Sequence, residues 1–181
     1  IQDVLQWNKI RQFVTLGFPG MAMLCSEWWA YELLTVMAGV LGRQQVTAQS
    51  ILMQILSLSF MLPLGMGIAA CSIIGNSLGA NRPKVATEIG KIAMCANCFI
   101  EIIVGCVIYY TGRQVTRVFT RDEVVEDMVA SCLGVMWVFV FFDGLQGVAS
   151  GVLRGCGKQS IGAIINVIAF YFIGIPLAYL F

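Results

Sequence analysis

The sequence has no histidine and few charged residues. Only 12% of its 181 residues are charged, and the formal net charge is +1. Without a basic patch there are few side chains to contact phosphates, so we expect no nucleic-acid partner. Without histidine, neither a Ser/His pair nor a histidine-ligated zinc or haem site can form, which makes a membrane enzyme the weakest of the functional alternatives.

The seven cysteines lack the paired loop spacing of a disulfide framework. Cys95 and Cys98 form one isolated CxxC inside an apolar run, whereas zinc sites of this type use two such pairs. We therefore predict that the cysteines are small hydrophobic residues buried in helices, and we expect no metal and no cofactor.

Apolar residues dominate the chain. They make up 59% of it and the mean hydropathy is +0.84, whereas a soluble domain is about 45–50% apolar. The apolar runs between charge clusters are about 20 residues or longer, enough to cross about 30 Å of hydrocarbon as helix. They are continuously apolar, unlike the alternating strands of a β-barrel. The sequence therefore predicts an all-α, polytopic membrane helix bundle.

Five membrane spans are predicted. They cover about 13–41, 47–75, 85–110, 124–153 and 161–181. An amphipathic segment, 1–12, precedes them and is expected to lie at the membrane interface. Turns are predicted at 42–45, 75–84 and 154–159, and a charged connector at 111–127. Within that connector, Thr120-Arg-Asp-Glu123 fits a capping box that opens the fourth helix.

The distribution of Lys and Arg predicts the orientation. Seven lie on the side that carries the N-terminus: Lys9, Arg11, Arg82, Lys84, Lys91, Arg154 and Lys158. Four lie on the other side: Arg43, Arg113, Arg117 and Arg121. Because cytoplasmic loops carry the excess of positive charge, the N-terminal side is predicted to be cytoplasmic.

Four acids lie inside the predicted spans, where ionisable groups are expensive and mark ion or substrate pathways. Glu27 and Glu32 belong to the first span, Glu101 to the third and Asp143 to the fourth. Glu27 is fourteen residues from either end of its run, so it cannot readily reach water. Its structural alternative is a hydrogen bond to Ser26 or to backbone. Glu32 lies five residues further on, about 140° around the helix, so these two acids do not share a face.

Other residues are candidates for substrate contact or for bending. Trp28, Trp29 and Tyr31 are suited either to a cation–π contact of about 0.5–2 kcal/mol or to packing. Gln54 and Asn166 are predicted to line a cavity or to form hydrogen bonds between helices. Hinges are predicted at Pro19 and Pro63, and a hinge or packing role at Pro176.

A short repeat is visible at an offset of 80 residues. Gly67-Ile-Ala-Ala-(four residues)-Gly75 aligns with Gly147-Val-Ala-Ser-(four residues)-Gly155. Duplication of a helix pair, typical of transporters, and recurrent packing glycines explain it equally well.

Several motifs resemble the multidrug and toxic compound extrusion (MATE) family of eukaryotes in content, order and spacing. They are Gly17-Phe-Pro19, Glu27-Trp-Trp-Ala-Tyr-Glu32, Gly39-Val-Leu-Gly42, Pro63-Leu-Gly65, Gly75-Asn-Ser-Leu-Gly-Ala80, Phe142-Asp-Gly-Leu-Gln146, Gly151-Val-Leu-Arg-Gly-Cys-Gly157 and Gly174-Ile-Pro176. The resemblance implies a fold of two six-helix lobes, of which this chain would be helices seven to eleven of the second lobe. Both ends of the chain look like cuts, and the first lobe is an expected partner.

The resemblance also implies a function. MATE proteins are secondary antiporters that export organic cations, drugs or metabolites against an inward flow of H⁺ or Na⁺. The acids that carry coupling or substrate binding on helices seven and ten match Glu27 and Asp143, with Glu32 as a further candidate. The position of Gln54 carries a glutamate in some animal relatives, and an amide there cannot titrate.

The sequence therefore predicts a cation-coupled antiporter, with H⁺ as the expected coupling ion and Na⁺ as the alternative, in the plasma membrane or in a vacuolar or other organelle membrane. Glu27 and Asp143 are expected to exchange H⁺ for a small-molecule substrate, with Glu32 or Glu101 assisting. Bending near Pro19 or Pro63 would link protonation to gating. The alternative is a lipid flippase or a non-transporting membrane scaffold of the same superfamily, in which the acids are structural.

Overall fold

The computed structural model describes residues 7–180, and this part of the chain is almost entirely helical. Its long helices are α1 (Trp7–Leu41), α2 (Arg43–Gly79), α3 (Pro83–Phe119) and α4 (Glu123–Gly155). The last helix begins as α5 (Gln159–Val167), passes through a π-helical segment (Ile168–Gly174) and ends as α6 (Ile175–Leu180). No strand occurs within residues 7–180, and the predicted all-α bundle is confirmed.

In the described part of the chain, four helices are long and apolar enough to cross a membrane: α2, α3, α4 and the continuous helix Gln159–Leu180. Large apolar side chains such as Phe13, Phe99 and Phe172 are exposed on the outside of the bundle, as expected where helices contact lipid. The 35 residues of α1 are sufficient in length, but Glu27, Glu32 and their polar neighbours lower its hydropathy. A membrane crossing by α1 therefore stays a prediction.

The helices extend beyond the predicted spans, and the turns are correspondingly short. Gly42 alone separates α1 from α2, and its φ of 147° is one that residues with a side chain rarely adopt. The turn predicted at 75–84 is reduced to residues 80–82. Of the first twelve residues, 1–6 lie outside the described part, and 7–12 belong to α1 rather than to a separate interfacial segment.

The predicted connector at 111–127 is wrong, because α3 runs to Phe119 and α4 begins at Glu123. Charged residues at these two helix ends pair with each other: Arg113 Nε lies 2.7 Å from Glu126 Oε1, and Arg117 Nε lies 2.9 Å from the same oxygen. These ion pairs allow α3 and α4 to continue as helix beyond their apolar residues, so the charged residues do not need a long loop.

The capping box at Thr120 is also wrong. The residue that caps α4 is Asp122, whose Oδ1 accepts a hydrogen bond from the Val124 N–H at 3.0 Å. Thr120 Oγ1 instead accepts a hydrogen bond from the Asp122 N–H at 3.1 Å. The cap is thus two residues nearer to the helix than the motif predicted.

Three helices, α2, α3 and α4, form the core of the bundle, and α1 pairs with α5 beside them. Glycines bring the parallel helices α2 and α4 into backbone contact. A Cβ at Gly151 would lie 2.6 Å from the Gly67 carbonyl carbon, and one at Gly155 would lie 2.8 Å from the Cys71 oxygen. The glycines of the 80-residue repeat also face one another here, since a Cβ at Gly67 would lie 3.0 Å from the Gly147 oxygen and one at Gly75 would lie 3.7 Å from the Gly155 oxygen. Small residues are typical of places where membrane helices pack closely.

A polar layer lies between two apolar clusters. The larger cluster includes Ile51 of α2, Ile108 of α3 and Val129 of α4. The smaller one joins Ala70, Ile74 and Ala86 towards the opposite end of the bundle. Asn97 and Glu101 of α3 and Asp143 of α4 are buried polar residues that fall between these clusters along their helices, and Glu27 of α1 and Asn166 of α5 contact Gln146 of α4 at the same level.

The cysteines are not buried, contrary to prediction. All seven are free thiols; Cys95, Cys132 and Cys156 are exposed and the other four are half-buried. Cys156 lies in the turn between α4 and α5, and Cys71 lies beside Gly155 where α2 packs on α4.

Candidate functional site

Three of the four predicted acids come together in the polar layer. Glu27 of α1, Glu101 of α3 and Asp143 of α4 are buried, with 3%, 1% and 9% of their surface exposed. Asp143 links the other two, because it accepts a hydrogen bond from Tyr31, one turn from Glu27 on α1, and adjoins Gly144, against which Glu101 lies. Residues 27, 101 and 143 are far apart in the chain, so this cluster exists only because three helices pack at this level.

Tyr31 joins α1 to Asp143. Its hydroxyl donates a hydrogen bond of 2.7 Å to Asp143 Oδ1. Its ring is buried and packs edge-on against Phe139 and Phe170, with centroid distances of 6.1 and 5.8 Å. Tyr31 therefore serves as a hydrogen-bond donor within the lobe. Its role in substrate contact stays a prediction.

A chain of amide groups holds Glu27. Gln146 Nε2 donates to Glu27 Oε2 at 3.1 Å and to Asn166 Oδ1 at 3.4 Å. Asn166 Nδ2 in turn donates to the Met23 carbonyl oxygen at 3.1 Å. Of the two alternatives for Asn166, the structure shows interhelical hydrogen bonding. Ser26 does not bond Glu27, because its hydroxyl donates to Met23 O at 3.1 Å.

Gln146 was not among the predicted site residues. The available signal was its place in the motif Phe142-Asp-Gly-Leu-Gln146, three residues after Asp143, a spacing that brings side chains to neighbouring positions on a helix. The two residues bond to different residues of α1: Asp143 accepts from Tyr31, and Gln146 donates to Glu27.

Glu101 occupies a separate part of the polar layer with Asn97, another residue that the sequence analysis missed. The two are one helical turn apart on α3 and are 1% and 0% exposed. None of their four side-chain oxygen and nitrogen atoms has a hydrogen-bond partner among residues 7–180. Gly144 makes room for the acid, since a Cβ there would lie 2.6 Å from Glu101 Cγ.

Arg154 and two small cavities complete the surroundings of Glu27. Each cavity has a volume of about 10 Å³, close to that of one water molecule. One is bordered by Trp28, Phe60 and Asp143, and the other by Arg154. The charge of Arg154 acts on Glu27, while its Nε donates to Ser150 O at 3.3 Å.

Glu32 and Gln54 are not brought into the polar layer. Both are exposed on the outside of the described bundle. Glu32 follows Leu24 and Trp28 at spacings of four, so the three share one exposed stripe of α1. Trp28 is 37% exposed and packs edge-on against Phe60, which combines packing with an accessible face. The role of these residues in binding stays a prediction.

The predicted hinges lie within continuous helices. Pro19 is inside α1, and Pro63 is inside α2 and fully buried. Helix geometry departs from α in the last helix instead, where the Ile175 N–H bonds to Phe170 O, five residues back, immediately before Pro176. A π-helical segment here avoids the clash of the proline ring with the preceding turn. Hinge roles for Pro19 and Pro63 stay predictions.

Comparisons with known proteins agree with one another. The family model MatE matches residues 19–180. Multidrug and toxin extrusion protein 1 of Danio rerio is 34% identical over 176 residues, which are 97% of this chain and 29% of that protein. Protein DETOXIFICATION 11 of Arabidopsis thaliana is 37% identical over 174 residues, 95% of this chain and 36% of that protein.

The same similarity extends to three dimensions. The crystal structure of the eukaryotic MATE transporter AtDTX14 superposes with a TM-score of 0.90 and 32% sequence identity, covering 97% of this chain and 40% of that one. The chain thus spans about a third of the length of the curated relatives that it matches.

Proposed function

Because the chain belongs to the MATE family, we propose that it is part of a cation-coupled antiporter, driven by H⁺, that exports organic cations, drugs or metabolites by alternating access. The family consists of multi-pass membrane transporters, and its eukaryotic members sit in plasma or organelle membranes. We propose the coupling ion, the substrate class and the roles of individual residues on the grounds that follow.

The observation that carries the proposal is the group of three buried acids. Glu27, Glu101 and Asp143 lie in one polar layer, and all three are buried. Within residues 7–180, none of them has a Lys or Arg nitrogen within ion-pair distance; Arg154 is near Glu27 but bonds to backbone. Ionising several neighbouring acids away from water is costly, so such a group is suited to hold protons that an arriving cation displaces.

The partners of these acids favour a proton over Na⁺ as the coupling ion. One oxygen of Asp143 accepts from Tyr31, and one oxygen of Glu27 accepts from Gln146. Cavities of about 10 Å³ beside them have room for about one water. A proton needs no further ligands, whereas a metal cation takes oxygen ligands on several sides.

Alternating access follows if the state of the acids changes helix packing. Tyr31 and Glu27 both lie on α1, and their partners Asp143 and Gln146 both lie on α4. Protonation weakens the hydrogen bonds that the two acids accept, so it loosens α1 from α4 at this level. Bending near Pro19 or Pro63 would then transmit the change along α1 and α2. Glu32 and Trp28, on the exposed stripe of α1, are placed to meet a cationic substrate or the first lobe.

The test uses the full-length transporter reconstituted in liposomes, with a pH gradient and a Na⁺ gradient imposed separately while export of a fluorescent organic cation is followed. Transport driven by the pH gradient is expected, and Glu27→Gln should reduce it at least about tenfold. Glu88→Gln, at an exposed position of α3, is the matched control and should transport normally. Undiminished pH-driven transport by Glu27→Gln would overturn the proposal. Lipid exchange without cation-driven flux would support the flippase alternative instead.

A further inference from the structure

Asn97 and Glu101 have an environment unlike that of the other buried polar residues. Glu27, Asp143 and Asn166 each bond to a named group on another helix. Asn97 and Glu101 are more deeply buried, yet both carboxylate oxygens and both amide atoms have no hydrogen-bond partner in the described chain. Buried polar groups are nearly always paired, so four adjacent exceptions require an explanation.

Structural packing alone does not account for a glutamate at this position. A side chain that only filled space between α3 and α4 would be apolar. Ile108 of α3, in the larger apolar cluster, is a side chain of that kind. Instead α4 provides a glycine against which the acid lies, with the position of a Gly144 Cβ only 2.6 Å from Glu101 Cγ. The neighbouring residue on α4 is Asp143, whose charge acts on Glu101. Asp143 of α4 therefore contacts α1, and the absence of a side chain at Gly144 leaves space for Glu101 of α3.

The charged surroundings of Glu101 are acidic. On α4 the nearest titratable residue along the chain is Asp143, which adjoins the Gly144 recess, and Asp143 bonds in turn to Tyr31 of α1, one turn from Glu27. The other helix packed against α3 is α2, which has no acidic or basic residue between Arg43 and its end at Gly79. On α3 itself the residue one turn away is Asn97, which is neutral. No cation of the described bundle forms an ion pair with Glu101. The ion pairs of the bundle join Arg113 and Arg117 to acids at the start of α4.

We propose that Glu101, with Asn97 as its polar partner, is a second proton-binding site of the lobe, and that it exchanges its proton with Asp143. This inference rests on the proposed function, because Asp143 is the coupling acid with which the proton is exchanged. In the transfer, the O–H bond at Glu101 breaks as an O–H bond at Asp143 forms, and the negative charge passes from Asp143 to Glu101. The acid of α3 thus stores a proton while Asp143 is engaged with Tyr31 or with substrate.

A proton is the ligand that this site can satisfy. Asn97 and Glu101 together offer three oxygens, all from one face of one helix. A metal cation needs oxygen ligands on several sides, and the backbone carbonyls of α3 at this level are engaged in the helix. One proton on Glu101 removes the buried charge and supplies a donor that Asn97 can accept.

Infrared difference spectroscopy of the full-length transporter in liposomes tests the proposal without any substrate. Spectra taken in acidic and alkaline buffer report the C=O stretch of each carboxylic acid that gains or loses a proton. The wild-type protein is expected to show a band that disappears in Glu101→Gln. Glu88→Gln, the same change at an exposed site on the same helix, should leave that band in place. Asn97→Leu retains every acid and should shift the same band, because its polar partner is gone.

The outcomes separate this inference from the proposed function. A Glu101→Gln spectrum that superimposes on the wild-type spectrum would overturn the second proton site, even if Glu27→Gln abolishes transport. If the Glu101→Gln protein cannot be reconstituted, Asn97→Leu is measured instead. A band at the wild-type position in Asn97→Leu then contradicts the proposal. Loss of the band when NaCl replaces choline chloride at constant pH would assign the site to a metal cation instead. Conversely, a band specific to Glu101 would stand even if the full-length protein moved lipid rather than drugs.

Discussion

The hydroxyl of Tyr31 lies 2.7 Å from Asp143 Oδ1 and joins the acid of α4 to α1. Both side chains are buried, and 112 residues separate them in the chain. A tyrosine hydroxyl donates more strongly to an ionised carboxylate than to a neutral one. The contact therefore links the protonation state of Asp143 to the position of α1, which also carries Glu27.

Replacement of Tyr31 by phenylalanine is expected to reduce pH-driven transport by about ten- to a hundredfold. Its ring contacts with Phe139 and Phe170 are retained, but Asp143 loses a hydrogen bond to a charged group worth about 1.5–3 kcal/mol. Transport in liposomes measures the effect. Tyr109→Phe, at a tyrosine that is 52% exposed on α3, controls for loss of a hydroxyl. Wild-type flux in Tyr31→Phe would show that the hydrogen bond plays no part in coupling.

Replacement of Gln146 by leucine should impair transport about tenfold while the protein stays folded. Leucine fills a similar space but leaves the buried Glu27 carboxylate without its donor, at a cost of about 1–3 kcal/mol. Flux and elution of the purified protein as a single species are the measurements. Gln44→Leu, on the exposed side of α2, is the matched control. Equal flux in the two variants would count against a role for the amide chain in holding Glu27.

Alanine at Gly151 is expected to destabilise the bundle by about 1–3 kcal/mol, because its Cβ would overlap the backbone of α2 at Gly67. Gly134→Ala is the control on the same helix, since a Cβ there would meet no atom within 4 Å. Thermal unfolding of the purified transporter should show a lower midpoint for Gly151→Ala and an unchanged or higher one for Gly134→Ala. Equal midpoints would mean that the glycine contact between α2 and α4 is not close enough to matter.

Neutralisation of Glu32 should affect substrate affinity rather than coupling. Glu32 lies on the exposed stripe of α1, away from the buried acids, where loss of one charge near a cation costs about 1 kcal/mol. Glu32→Gln is expected to raise the KM for an organic cation about fivefold, with the pH gradient still driving transport. Initial rates at varied substrate concentration, with and without the gradient, measure both quantities. If Glu32→Gln lost gradient-driven transport as Glu27→Gln is expected to, Glu32 would be a coupling residue.

The limits of prediction from sequence are clearest at the two ends of α4. The charged residues at 111–127 predicted a connector, whereas the structure has helix through most of this range. A single sequence shows where an apolar run ends but not where a helix ends. Ion pairs between Arg113, Arg117 and Glu126 allow both helices to continue past the apolar region. At the other end, Gly147 and Gly155 were recognised as the second copy of a repeat, but their contact with Gly67 and Gly75 of the first copy depends on the parallel packing of α2 and α4.

Composition and hydropathy determined that the chain is a bundle of membrane helices, because hydrocarbon tolerates only apolar segments whose backbone bonds are satisfied internally. Sequence also singled out Glu27, Glu101 and Asp143, since an acid is costly in such a segment wherever the helices lie. Tertiary structure alone decided which acids meet: Asp143 bonds to α1 one turn from Glu27 and adjoins the Gly144 recess that holds Glu101, while Glu32 faces outward. It alone revealed Tyr31, Gln146 and Asn97 as the partners or neighbours of those acids. The rotation and depth of each helix are set by packing against its neighbours, and a periodic pattern within one helix does not specify them.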